Sequence, residues 1–466
     1  MDYTNTKLEE FNTYLKNRKV AIIGLGVSNT PLLEYLHKLE AHVTVFDKRT
    51  LGNIDKDLLG RVYHYGMETS LGDDYLSNLV GFDIIFRSPS CMPTLPEIQK
   101  EIERGAILTT EIEMVLELCP GKVIGITGSD GKTTTTSLIY QIVKEKGYNC
   151  YLGGNIGTPV FTELKNMTPD DIAVLELSSF QLMNMKISPQ ISVVTNVTPN
   201  HLDIHGSFEE YIDAKTNIFK YQNKEGIVIL NYDNDITKEF ANMANGTVTF
   251  FSSKEKLENG YIVDNDVIKL CENGVRRHLI DTKDLILRGK HNYENVCTAL
   301  AATSSIVDID TQVKAVKEFK GVEHRIEYIR EIDGVKWYND SVASSPTRTI
   351  VALESFSEKI VLIAGGYDKH LEYEPLAKPL VENVSTLILL GQTAEKIDKA
   401  TRRELLSQNK EISIYRCNSL EECVNKAKEV AKQGEIVLLS PASASFDMFK
   451  NAVERGCIFK EMVNKL

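Results

Sequence analysis

Residues 122–136, KVIGITGSDGKTTTT, combine side chains and spacing suited to holding a nucleotide triphosphate. An apolar, strand-like run ends at Gly128. Ser129, Asp130 and Gly131 then form a turn, and Lys132-Thr133-Thr134 open a helix. Glycines let backbone N–H groups turn inward around phosphate, and a helix N-terminus directs partial positive charge at the same point. Lys132 adds a point charge for the terminal phosphates, and Thr133 a hydroxyl for their magnesium. The usual spacing asks for a glycine five residues before Gly131, where this chain has Ile126. A plain strand–turn–helix is the competing interpretation.

Other polar residues stand at the ends of apolar runs. IAVLE (172–176) ends in Glu176, which suits a magnesium ligand beside a phosphate loop or, equally, a solvated strand tip. ISVVTNV (191–197) leads into TPNHLDIHG. His201 and His205 have zinc-like spacing, but Gly206 argues for a loop rather than the helix such a pair needs, so His201 reads as a polar group near magnesium and phosphate. In the first hundred residues, Gly24-Leu25-Gly26-Val27-Ser28 follows KVAII, and Asp47 closes AHVTVFD. This resembles half of a dinucleotide fingerprint and lacks its third glycine. Toward the other end, Asn339-Asp340-Ser341 and Asp368-Lys369 read as turn residues or as parts of a site completed across a cleft.

The elements that must position these groups are strands alternating with amphipathic helices, which predicts an α/β protein with mostly parallel sheets. KVAIIGLG (19–26), KVIGITG (122–128) and KIVLIAGG (359–366) each read as the first or an early strand of a domain. Cys119-Pro120-Gly121 breaks the chain before the second, and Gly321 precedes a hairpin signal in which IEYIREI and VKWYND flank Asp333-Gly334. A chain of 466 residues suits about three domains. A net charge of −12 without a basic stripe argues against a nucleic-acid surface. Eight scattered cysteines without a CxxC pair fit reduced thiols, and the N-terminus lacks a signal-peptide pattern. With no membrane-length apolar run, these features predict a cytoplasmic protein with no membrane partner.

Taken in order, the motifs resemble the Mur ligase family, ATP-dependent amide-forming enzymes of peptidoglycan precursor assembly. The residues carrying this resemblance are TGSDGKTT (127–134), GGNIGTP (153–159), ELSSFQL (176–182), NVTPNHLDIHGSFEEYIDAK (196–215), GKHNYENV (289–296), EHRIEY (323–328), WYNDS (337–341) and SPASASFDMFK (440–450). ELSSFQL, and the absence of a DNPR stretch, resemble the branch that adds D-glutamate to UDP-N-acetylmuramoyl-L-alanine.

The resemblance implies three domains. Residues 1–112 would form a Rossmann-like uridine-nucleotide domain, 113–321 a central P-loop ATPase, and 322–466 a Rossmann-like domain contacting the amino acid and ATP. It implies ATP contacts at Gly128, Ser129, Asp130, Gly131, Lys132, Thr133, Thr134, Asn292, Arg325 and Asp340. It places the UDP-substrate at Gly24, Gly26, Val27, Ser28, Asp47, Lys48, Ser88, Ser90 and Asn155, and D-glutamate at Lys369, Ser445 and Phe446. Two magnesium ions would be held by Thr133, Glu176, His201 and Lys215, the last carbamylated by carbon dioxide. Lys132, His201 and Lys215 would be catalytic, and the enzyme a monomer. Ser90, Val342, Ser344 and Asn200 depart from residues common in the family.

The chemistry suits these residue types. A carboxylate is a poor acyl donor until ATP converts it to an acyl phosphate, which an amine can then attack through a tetrahedral intermediate. A sister ligase for another amino acid is the nearest alternative. A nucleotide-binding dehydrogenase would leave the phosphate loop idle, and a nucleotide switch lacks its N-K-x-D motif.

Overall fold

The computed structural model describes residues 3–199 and 205–466. Twenty strands lie in three sheets among the described residues. The first sheet contains β1 (Lys19–Ile23), β2 (His42–Asp47), β3 (Glu68–Leu71), β4 (Ile84–Arg87) and β5 (Ile107–Thr109), all parallel, in the order β3-β2-β1-β4-β5. Its central strands β1 and β4 are nearly uninterrupted buried runs, as strands of a parallel sheet covered on both faces are. The strand order reverses direction between β1 and β4. Ligands of open α/β sheets collect at that switch, outside the carboxyl ends of the strands.

The second sheet contains β6 (Lys122–Thr127), β7 (Cys150–Gly154), β8 (Ile172–Glu176), β9 (Ile191–Val194), β10 (Ile227–Asn231), β11 (Thr247–Ser252), β12 (Gly260–Asp264), β13 (Val267–Glu272) and β14 (Val275–Asp281). Its order is β14-β13-β12-β11-β10-β9-β6-β8-β7. It is parallel from β7 through β12, and β13 then pairs antiparallel with β12. The strand that carries the phosphate loop, β6, therefore lies between β8 and β9, and both neighbours run alongside it to the same edge.

These two sheets belong to one compact unit, residues 1–280 and 294–316. One apolar cluster runs through both, from Leu8 and Val20 to Leu175 and Phe219. The joint is specific as well as apolar: Asn5 donates to Leu118 O at 2.9 Å, and Tyr35 meets Phe161 edge-on at 4.9 Å. The helix Glu111–Leu118 links the sheets, and its buried Glu111 accepts from Phe161 N at 3.2 Å. Burial pushes that carboxyl up to about 7.

The second unit, residues 281–293 and 317–466, holds β15 (Glu327–Ile332), β16 (Val335–Asn339), β17 (Ile360–Ala364), β18 (Val384–Leu389), β19 (Ser413–Arg416) and β20 (Ile436–Leu439). The order is β15-β16-β20-β17-β18-β19, parallel except for the β15–β16 hairpin. That hairpin turns at Asp333-Gly334, both at positive φ, as the sequence predicts. Separate apolar clusters cover the two faces, and the single tryptophan, Trp337, is fully buried against Phe459 in one of them. All eight cysteines are free thiols. No described helix is long and apolar enough to cross a membrane.

Candidate active site

The phosphate loop closes around its backbone because two glycines allow it. Gly128 has φ +148°, and a Cβ there would lie 1.9 Å from Thr195 Oγ1. Gly131 has φ +80°, and a Cβ would meet Asn295 Oδ1 at 2.5 Å. Both positions combine a left-handed backbone with close approach, so only glycine fits without strain. The helix Lys132–Glu145 starts directly at Gly131. Thr195 and Asn196, just beyond β9, tie the loop down. Thr195 Oγ1 donates to Asp130 O at 2.5 Å, and Asn196 Oδ1 accepts from Asp130 N at 2.9 Å.

Two lysines converge on one carbonyl. Lys132 Nζ donates to Gly128 O at 3.0 Å and Ser129 O at 2.9 Å, while Lys215 Nζ donates to the same Gly128 O at 2.8 Å. Lys215 is 1% exposed and sits 4.6 Å over the Tyr211 ring. Burial first, and the Lys132 charge second, hold its pKa well below the usual lysine range. The helix Phe208–Lys220 supplies Tyr211 and Lys215 four residues apart, hence on one face. Tyr211 OH lies 2.9 Å from Ser129 Oγ and so braces the loop from below.

Glu176 ends β8 as the sequence predicts, and it is buried rather than solvated. Its Oε1 accepts from Asn155 Nδ2 at 2.9 Å, and Asn155 N donates to Glu176 O at 2.8 Å. Its Oε2 is buried with no hydrogen-bond partner among the described residues. An orphaned carboxylate oxygen of that kind is costly unless something cationic meets it. The donor set, a carboxylate oxygen with the half-buried Thr133 hydroxyl nearby in sequence to the loop lysine, is the hard-oxygen chemistry magnesium takes. The residues present therefore fit that ion.

His201, Asn200 and Asp203 lie outside the described residues. His205 is fully buried. Its Nε2 lies 2.9 Å from Ser179 Oγ, and its ring stacks on Phe180 at 4.9 Å and meets Tyr211 edge-on. It is a ring packed against the ELSSFQL turn.

At the switch point of the first sheet, the Gly24–Ser28 turn follows β1 and the Ser88–Ser90 turn follows β4. Asp47 does more local work than the sequence suggests. Its carboxylate accepts from Leu25 N at 2.8 Å and from Arg49, whose Nη2 lies 2.7 Å from Oδ2 and also donates to Leu25 O. Burial pushes the Asp47 carboxyl up, but the Arg49 fork and the backbone N–H groups outweigh it and hold it below the usual range. Arg49 thus shapes the glycine turn, a role the sequence reading missed although it lies two residues from Asp47. Lys48 and Ser90 line one cavity of about 470 Å³, together with Tyr75 and Cys91.

In the second unit, Asp340 follows β16 and is fully buried. Oδ2 accepts from Ser440 Oγ at 2.7 Å and Oδ1 from Ile326 N at 3.2 Å. Burial pushes its carboxyl up to about 7, opposed by those hydrogen bonds and by the Arg325 charge. Asn292 is buried and donates to Arg288 O at 2.6 Å. Lys369 is exposed, with its ammonium 5.5 Å from the Phe446 ring; Ser445 is buried in the same loop. Arg455, from the last helix, holds that loop by donating to Ser341, Ser443 and Ala444, and no local sequence signal pointed to it. Glu323, His324 and Cys457 also cluster here. Asn339 Nδ2 lies within hydrogen-bond distance of His324 Nδ1, Glu327 Oε2 and Gly456 O, and His324 Nε2 lies 3.7 Å from Cys457 Sγ, so the imidazole is engaged on both nitrogens.

Parallel α/β sheets with a glycine loop, a loop lysine and an orphaned carboxylate oxygen define a P-loop nucleotide-binding protein. Family models match three consecutive stretches of this chain: the Mur ligase MurD-like N-terminal domain over residues 18–110, the Mur ligase middle domain over 126–303, and the Mur ligase glutamate ligase domain over 324–443. The chain belongs to the Mur ligase family.

It is 50% identical over 464 residues to the UDP-N-acetylmuramoylalanine–D-glutamate ligase of Acetivibrio thermocellus, covering 99% of each chain. It is 47% identical to the ligase of that name from Clostridium botulinum strain Langeland, covering 99% of this chain and 100% of the relative. Among solved structures, the UDP-N-acetylmuramate–alanine ligase MurC of Thermotoga maritima superposes with a TM-score of 0.57 at 18% identity, covering 96% of this chain and 99% of that one. The MurF ligase of the same organism, in complex with ADP, gives 0.55 at 18% identity over 97% of each. At these identities the structures bear on the fold alone.

Proposed function

We propose that this chain is the ATP-dependent, ADP-forming ligase that joins D-glutamate to UDP-N-acetylmuramoyl-L-alanine in peptidoglycan precursor synthesis. The observation that carries the reading is full-length identity of 50% to a ligase of that name, in a chain whose Lys132 and Lys215 meet at one phosphate-loop carbonyl and whose Glu176 ends the strand paired with the loop's own strand. The division of labour is 1–112 for the uridine nucleotide, 113–321 for ATP and 322–466 for the amino acid.

On this reading the loop N–H groups and Lys132 hold the ATP phosphates, and the terminal phosphoryl group passes to the alanine carboxylate. Lys132 lowers the repulsion between the two anions. Magnesium, when bound, neutralises phosphate charge and would be held by Thr133, Glu176, His201 and Lys215. Lys215 is suited to carbamylation because carbon dioxide reacts only with a neutral amine. Burial beside Lys132 favours that neutral form, and the carbamate replaces a cation with an anionic oxygen donor. D-glutamate, received by Lys369, Ser445 and Phe446, attacks the acyl phosphate through its amine, and the tetrahedral adduct collapses to amide and phosphate. Asn292, Arg325 and Asp340 hold the adenine and ribose. Gly24 to Ser28, Asp47, Lys48, Ser88, Ser90 and Asn155 hold the UDP-substrate. The enzyme works as a monomer in the cytoplasm.

The test is phosphate release from ATP with UDP-N-acetylmuramoyl-L-alanine and a panel of amino acids. A site that pairs both carboxylates of D-glutamate leaves its own donors unpaired with smaller substrates, a loss of about 10²-fold or more. Faster release with L-alanine, L-lysine or diaminopimelate than with D-glutamate would assign the chain to a sister activity.

A further inference from the structure

Arg87 is a buried cation that neither the phosphate loop nor the glycine turns account for. It ends β4, immediately before the Ser88–Ser90 turn, and is 2% exposed. Its guanidinium donates to Cys91 O at 3.3 Å on its own side. On the far side it donates to Phe180 O at 3.2 Å and Met183 O at 2.8 Å. Those two carbonyls belong to the short turn that follows Glu176, where Ser178 and Gln181 form a reciprocal cap.

The same turn is gripped at its exit. Glu113, on the helix joining the two sheets, accepts from Lys186 N at 3.2 Å. An arginine from the first part of the chain and a glutamate from the linking helix thus hold residues 180–186 of the central part, one by its carbonyls and the other by an N–H. At its near end, Ser88 N donates to Ile23 O at 2.8 Å, so Arg87 is rigidly joined to the β1 edge of the nucleotide crevice. The planar fork suits this task, since one guanidinium can meet three carbonyls that diverge from a single point.

We propose that Arg87 is a positioning residue for ligation. It sets the spacing between the UDP-substrate loop Ser88–Ser90 and the Glu176 strand end, so that the acceptor carboxylate and the ATP phosphate meet in reactive geometry. The inference rests on the functional reading above. Its physical basis is that displacing reactants by about 1 Å can cost about 10²-fold in rate while leaving each binding contact in place.

The experiment compares wild type with R87K and R87M. It measures kcat at saturating substrates, calorimetric Kd for UDP-N-acetylmuramoyl-L-alanine and for ADP, and the thermal midpoint. R87M should lose about tenfold or more in kcat while both Kd values stay within about threefold, and R87K should recover part of the loss because an ammonium can reach two of the carbonyls. Unchanged kcat in both variants overturns the proposal. A kcat loss that follows equal losses in both affinities and in thermal midpoint also overturns it, because that pattern belongs to a purely structural residue. A wild-type protein that makes no D-glutamate product would instead sink the functional reading.

Discussion

Replacing Arg455 by methionine tests how the proposed D-glutamate loop is held. Arg455 makes four hydrogen bonds, from Nε to Ser341 Oγ at 3.0 Å, from Nη2 to Ser341 O at 2.8 Å and Ser443 O at 3.1 Å, and from Nη1 to Ala444 O at 3.2 Å. The residue is 2% exposed, so water cannot replace those donors when they are removed. Four such bonds at a little over 1 kcal/mol each amount to about 5 kcal/mol, and relieving the desolvation of a buried guanidinium returns about 2, leaving a net loss of ~3 kcal/mol. Methionine keeps the apolar stem, so cavity formation adds little. With a urea slope of about 2 kcal/mol/M, the unfolding midpoint should fall by about 1.5 M.

Trp337 makes the measurement local. It is the only tryptophan in the chain and is buried in the core of the same unit, so its fluorescence follows that unit's unfolding. A second consequence is kinetic. Ser443 is also held by Tyr373 and Thr393, so the loop should loosen rather than collapse, raising the KM for D-glutamate more than that for ATP. A midpoint shift below about 0.3 M would refute the accounting, since it would mean that the guanidinium contributes no more than an exposed side chain.

Asp340 should give the second unit a pH-dependent stability. Its folded pKa is about 7 against an ordinary value of 3.8, so between about pH 4 and 7 the folded state keeps a proton that the unfolded chain releases. Stability is fullest below that window, falls as pH rises through it and levels off above it; D340N should remove this component from the Trp337 transition, and identical pH profiles for the two proteins would contradict the burial argument. Lys215→Ala should lose about 10²-fold or more in activity and regain part of it with formate or acetate, which can supply an anionic oxygen. Activity near wild type without any additive, or rescue by an alkylamine in place of a carboxylic acid, would count against a carbamate.

Much of the fold was legible because its signals are local. Apolar runs closing on glycine marked β1, β6 and β17, and Asp333-Gly334 marked the hairpin, since backbone conformation at those points depends on residue type and little else. Lys132 and Glu176 were legible for the same reason, as each sits at a fixed offset from a strand end. What tertiary structure decided were the interactions between groups distant in the chain. Lys215 meets Gly128 across 87 residues, Arg87 meets Met183 across 96, and Arg455 meets Ser341 across 114. It also decided that Asp47 is occupied by Arg49 and Leu25, and that Glu176 keeps one buried oxygen without a partner among the described residues. Such facts depend on which strand ends the sheet order brings together, and on how much water the packing excludes there. Residue type sets what a side chain can donate or accept, whereas its protonation and its partner are set by the low-dielectric surroundings that only the folded chain creates.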